Sequence, residues 1–171
     1  MQAAVIVLRL VHIILGVFWV GAIFFFVAFL QPSVRDAGPD GMKVVQQLIR
    51  RGYLNLLPVV AGLTMLAGLA LYWIDARAMD GAWMASGVGR GFTVGAVAAI
   101  VGFLVGFFVM RASTVRAIAL GQSLAQLAEG PERQARMAEI DRLRRRAAMS
   151  SHWVAGLLLI AVAAMAVARY V

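Results

Sequence analysis

The stretch AAVIVLRLVHIILGVFWVGAIFFFVAFL, residues 3–30, is apolar throughout except for Arg9 and His12. As a helix it reaches roughly 42 Å at ~1.5 Å per residue, more than the ~30 Å that the hydrocarbon core of a bilayer requires. It therefore predicts a membrane-spanning helix that tilts or protrudes. The run is longer than the apolar region of a signal peptide and no basic residue precedes it, so a retained first span is expected, not a cleaved leader.

Working outward, three more apolar stretches follow at 54–74, 91–110 and 150–170. Pro58 stands near the start of the second, where a missing amide hydrogen costs less than in mid-helix. Hydrophobic residues make up 63% of the chain against 14% charged, and the mean hydropathy is +0.87, far to the apolar side of a water-soluble fold. The 171 residues are one domain on length. The fold class is all-α: a polytopic membrane protein with four transmembrane helices in an antiparallel bundle. There is no cysteine, which excludes disulfides, zinc-thiolate sites, covalent haem attachment and iron-sulfur clusters.

The connecting segments set the orientation. Twelve of the 16 basic residues lie in the segments 31–53 and 111–151, leaving Arg9, Arg77, Arg90 and Arg169 for the other side. The positive-inside rule then places both segments in the cytoplasm and both termini outside the cytoplasmic (inner) membrane. Tyr53 and Trp153 fall at the inner interface and Tyr72, Trp73 and Tyr170 at the outer, where amphipathic rings are favoured, whereas Trp19 falls near mid-bilayer. Segment 31–53 reads as a loop. Segment 111–149 reads as a cytoplasmic helical hairpin: Val115, Ile118, Leu124 and Leu127 have roughly helical spacing, Gly130-Pro131 supplies a stop and a new start, and Met137, Ile140 and Leu143 or Ala147 form a second stripe. Glu132 with Arg136, Asp141 with Arg145 and Glu139 with Arg142 are spaced for intrahelical ion pairs. The surplus arginines Arg142, Arg144, Arg145 and Arg146 are either a solvated face or a contact to anionic lipid headgroups. Nucleic acid is not expected as a partner.

All eight acidic residues lie outside the spans, so no intramembrane carboxylate is present for proton relay or cation coupling. No P-loop, HExxH, GxSxG or paired-carboxylate motif is present, and no catalytic residue is expected. Arg9, His12, Gly16 and Trp19 share one helical face, which should point at the other spans because intramembrane ionisable groups usually do. His12 has two readings. It is either a hydrogen-bonding group between helices or an axial ligand of haem or copper, with Met65 and Met165, at broadly similar depth, as thioether partners. His152 enters the fourth span from the opposite side and is too distant to share a haem with His12. In the third span Gly91, Gly95, Ala99, Gly102 and Gly106 make one nearly bare face, suited to close packing within the bundle or to docking of another subunit.

Residues 9–25, RLVHIILGVFWVGAIFF, followed by LQPSV at 30–34 and the closing LLLIAVAAMAVARYV, resemble the small four-helix members of the superfamily that includes the CopD copper-resistance membrane proteins. The first span also resembles that of the HemJ-type protoporphyrinogen oxidases. That resemblance implies haem b, or copper, held at His12. The third span has no lysine, only Arg90 at its mouth, and methionine-rich segments are absent. Two functions follow: an accessory or structural subunit within a larger membrane assembly, such as a respiratory or photosynthetic complex, or a haem- or copper-binding redox or metal-handling protein. Membrane lipids and other membrane subunits are the expected partners.

The arginine distribution makes a direct prediction, and the absence of native cysteine makes it simple to read. Single cysteines at Gln2 and Ser123 should label oppositely with an impermeant thiol reagent, Gln2→Cys from outside intact cells and Ser123→Cys only after lysis. Labelling of Ser123→Cys from outside would overturn the orientation.

Overall fold

Long uninterrupted apolar runs with few helix breakers should give long helices, and the computed structural model, which describes residues 2–78, 82–124 and 126–170 (the side chain of residue 39 apart), has four of them. They are α1 (Gln2–Asp36), α3 (Tyr53–Ala78), α5 (Gly87–Leu124) and α6 (Pro131–Tyr170), each long and apolar enough to cross a membrane. Two short helices complete the set, α2 (Gly38–Arg50) and α4 (Ala82–Ala85). No strand occurs among the described residues.

Segment 31–53 is not the loop that its charges suggest. α1 continues to Asp36, and Gly38, at a φ of 56°, turns the chain into α2. Met42, Val45, Leu48 and Ile49 are half-buried on one side of α2, Pro39 stands in its first turn with Asp40, and Arg50 stands in its last. The short apolar stripe and these end charges together favour a surface helix. Gly52, with a φ of 84°, turns the chain again into α3.

The bare face of α5 lies against α6. A Cβ placed on Gly91 would stand 2.8 Å from Cβ of Ala168, and one on Gly95 2.7 Å from Cγ of Met165 and 3.0 Å from the Ala161 carbonyl oxygen. Further along, a Cβ on Gly102 would meet Leu157 at 3.5 Å and one on Gly106 would meet Val154 at 3.7 Å. Partner numbers fall as the glycine numbers rise, so the two helices run antiparallel. α1 packs along α3 in the same sense. The central core draws Trp19 and Ile23 from α1, Leu57, Val60 and Ala61 from α3, Met110 from α5, and Val154, Ala155 and Leu158 from α6.

Beyond the membrane-length portion α5 and α6 continue as a hairpin with its own small core of Ala117, Ile140 and Leu143, flanked by Leu120 and Leu124. The inward stripe on α5 is thus Ser113, Ala117, Leu120 and Leu124, while Val115 is exposed, as is Met137 on α6. Arg136 pairs with Glu132 and Arg142 approaches Glu139, but Asp141 and Arg145 form no ion pair among the described residues. Instead Arg116 reaches across from α5 to Glu139 at 2.7 Å.

The uneven spacing along the glycine face yields a graded prediction. Gly95→Ala must push α5 off the Ala161 carbonyl and should cost on the order of 1–3 kcal/mol, the usual range for overpacking. Gly102→Ala meets only ordinary contacts and should be neutral or stabilising by up to ~1 kcal/mol through helix propensity. Denaturant unfolding of both variants in detergent checks this, and equal effects would show that α5 and α6 do not approach in this way.

Candidate functional site

His12 sits in the seam between α1 and α3. Its Nδ1 lies 2.8 Å from the Thr64 carbonyl oxygen. A carbonyl only accepts, so Nδ1 carries the hydrogen and the neutral imidazole keeps its lone pair on Nε2. The Thr64 hydroxyl does not compete for the ring, since it donates back to the Val60 carbonyl at 2.9 Å. Gly68 makes the room: a Cβ there would stand 2.6 Å from Cε1 and 2.8 Å from Nδ1 of the ring. Of the face formed by Arg9, His12, Gly16 and Trp19, the last three turn inward, with a Cβ on Gly16 lying 3.5 Å from the Thr64 methyl group. Arg9 is exposed.

The proposed thioether partners have other neighbours. Met65 packs at the edge of the central core, and Met165 lies on Gly95 of α5. His152 is exposed and donates from Nδ1 to the Ala148 carbonyl of its own helix at 2.8 Å. No group of three His, Cys, Asp or Glu side chains converges among the described residues. The imidazole lies against Gly68, and a cavity elsewhere in the bundle is lined by neither histidine.

That cavity, of about 50 Å³, lies between α3 and α5 in the half of the bundle nearer the hairpin. Trp19, Leu57, Phe103 and Phe107 supply apolar walls, and Tyr53 and Arg111 the polar rim. The Tyr53 hydroxyl is buried without a hydrogen-bond partner among the described residues. A space this size takes a few water-sized groups, and one orphan donor cannot by itself hold a buried water.

Arg111 is fixed by a consequence of Pro58. Proline has no N–H, so the carbonyl four residues earlier, that of Leu54, loses its helical donor. Nε of Arg111 takes that place at 3.1 Å, an Nη donates to Oδ1 of Asn55 at 3.1 Å, and the guanidinium lies over the Phe107 ring at 5.5 Å. The backbone of α5 widens to π-helix over Val105–Arg111, the segment that delivers this side chain. Widened turns of this kind recur at functional sites. At the other end of the same helix pair, Thr93 donates to the Gly89 carbonyl and so receives the Tyr72 hydroxyl at 2.7 Å. Trp83 of α4 covers that contact, edge-on to Tyr72 at a centroid distance of 5.1 Å. α3 and α5 are thus pinned at both ends and part between them.

The residues of this second site were not singled out by pattern. Tyr53 reads as an interfacial aromatic and Arg111 as one basic residue among eight; only the register between two helices brings Leu54 to Arg111. Comparison with protein-family models, with curated proteins and with solved structures finds no match, so the arrangement must be read from its own geometry.

The Pro58–Leu54–Arg111 relation predicts non-additivity. Arg111→Ala should destabilise by about 1–3 kcal/mol by leaving the Leu54 carbonyl unpaired. In a Pro58→Ala background the restored N–H serves that carbonyl, and Arg111→Ala should cost at least ~1 kcal/mol less. A double-mutant cycle by denaturant unfolding measures the difference, and strict additivity would show that the two residues act separately.

Proposed function

We propose that the protein is a non-enzymatic accessory subunit of the inner membrane, with its termini outside, its hairpin in the cytoplasm, and α1 as the helix that meets another membrane protein. The observation that supports this reading is a free seam on α1. Val7, Val11, Ile14, Phe18, Gly21 and Phe25 follow spacings of four and three, the a/d pattern of helix-helix packing, and all are exposed. Phe18 is 49% exposed and Phe25 58%, and nothing lies within 4 Å of where a Gly21 side chain would start. A small residue at the middle of such a seam lets a second backbone approach closely. The glycine face of α5 is occupied by α6, so docking falls to α1.

The membrane assignment itself rests on the four apolar helices. Orientation and location follow from the arginines at the hairpin end and from the positive-inside rule. The alternative reading, a haem- or copper-handling role, rests on His12.

The seam can be tested without disturbing the fold, since Gly21 and Gly156 both face open space. A photo-crosslinking residue at Phe18 should give a discrete adduct with a different membrane protein. Gly21→Leu should abolish that adduct and leave thermal stability unchanged, while Gly156→Leu should preserve both. An adduct only with a second copy of the chain, or one indifferent to Gly21→Leu, would overturn the reading. A Soret band in the same preparation that vanished in His12→Gln would replace it with the haem alternative.

A further inference from the structure

We infer that a groove between α5 and α6, on the side away from the α3 cavity, is a binding site for one anionic phospholipid, its phosphate held by Arg142, Arg145 and Arg146. The groove has a volume of about 700 Å³, within the range of about 300–1,000 Å³ typical of ligand clefts. Its walls are of two kinds. Val101, Val105 and Val109 of α5 face Met149, Trp153 and Leu157 of α6, and the three arginines close the end toward the hairpin. On α6, residues 142, 146, 149, 153 and 157 recur at spacings of three and four, with 145 beside them, and form one stripe, apolar deep in the membrane and cationic at its edge. Arg144 does not line the groove.

The dimensions match one leaflet. Counted at ~1.5 Å per residue from residue 160, the middle of the 150–170 stretch, Arg146 and Arg145 stand roughly 21 and 22 Å away and Arg142 one turn further, against ~15 Å for half a hydrocarbon core and about 20–22 Å when the headgroup layer is included. The apolar walls therefore span acyl-chain depth, and the guanidinium groups stand at phosphate depth. Arg145 and Arg146 are in no ion pair among the described residues, and Arg142 has only a loose contact, 3.7 Å, to a Glu139 that Arg116 already holds at 2.7 Å. Three cations within about one turn of helix repel one another, and planar guanidinium groups match phosphate oxygens in paired hydrogen bonds. Trp153, 69% exposed, lines the groove roughly 10 Å from that middle, within acyl-chain depth. A free phosphate ion would satisfy the arginines and leave the walls uncovered; a phospholipid with net negative charge satisfies both. The site is separate from the α1 seam and does not depend on whether that seam meets a partner.

Trp153 is also the reporter. Trp19 and Trp83 are buried, at 5% and 7% exposure, so in a Trp73→Phe background Trp153 is the lipid-exposed indole. The full chain is reconstituted into phosphatidylcholine vesicles containing a minority of phosphatidylglycerol, with bromine on the acyl chains of one lipid or the other. Brominated phosphatidylglycerol should quench more than brominated phosphatidylcholine at equal mole fraction, with a preference of about fivefold for each arginine engaged. Adding inorganic phosphate should not reduce it. Arg142→Gln, Arg145→Gln and Arg146→Gln together should bring the preference close to one, Arg144→Gln should leave it intact, and Trp153→Phe should remove the quenched signal. Equal quenching by the two headgroups in the parent protein, a comparison that requires no arginine variant, would overturn the proposal. So would loss of the preference in Arg144→Gln, which would mean a diffuse charge effect, or its displacement by inorganic phosphate, which would mean an anion site without a lipid.

Discussion

In a hydrocarbon environment no water stands ready to accept an unpaired backbone group, so each one must find a partner in the protein. Pro58 creates such a group in the Leu54 carbonyl, and its partner is a guanidinium from a different helix, 57 residues away in the chain. The rest of the bundle is arranged around that requirement. α5 must come close enough to α3 at this level for Arg111 to reach, and it does so through a π-helical segment that leads into the arginine. The Tyr72–Thr93 bond pins the opposite end of the same pair. Between the two contacts neither helix has a reason to approach further, and the space left is lined by large rings that keep it apolar.

The glycine face adds a taper. Gly91 and Gly95 meet α6 at distances that leave no room for a methyl group, whereas Gly102 and Gly106 leave ordinary van der Waals gaps. α5 and α6 are therefore closest away from the hairpin and looser toward it. The cavity against α3 and the groove beside the arginines both lie in that looser half. So do both π-helical segments, Phe26–Leu30 in α1 and Val105–Arg111 in α5. The first precedes Pro32 and is closed by the Gln31 N–H donating five residues back to Phe26. Tight packing on one side and deformable helices on the other follow from where the glycines and prolines stand.

Long apolar runs made the four membrane-length helices legible in the sequence, because length and hydropathy alone decide that question. The hairpin was legible through Gly130-Pro131 and the charge spacing of Glu132 and Arg136. α2 was not, since its apolar residues are few and sit among charges, a pattern shared by loops. The bare face of α5 could be read as a packing surface, but periodicity names a face and never its partner; only the contact with α6 shows that it is used within the chain. His12 shows the same limit. Its inward direction follows from spacing, whereas the Thr64 carbonyl that receives its hydrogen and the missing side chain of Gly68 that admits its ring depend on the register of two helices. Asp141 and Arg145 have the spacing of an ion pair, but that spacing cannot reveal that Arg145 lines the groove beside α5.

These contacts divide the helices by how firmly each is held. α5 and α6, consecutive long helices, share an interface that runs through the membrane-length portion and on into the hairpin core. α1 rests chiefly on α3 and touches α6 around the central core and where the Ser151 hydroxyl donates to Gln31. Its hold on α3 is specific but narrow: one imidazole hydrogen bond, the Gly16–Thr64 approach, and the burial of Trp19 and Ile23. Stability in such a structure is uneven, and the element with the fewest buried contacts opens at the lowest free energy. Among the four long helices α1 is that element, and it is also the helix whose outer face carries an unused packing seam. A partner helix laid along Val7, Ile14, Phe18 and Phe25 would add its contacts where the chain's own are fewest, so association would stabilise the protein most at the helix that needs it most.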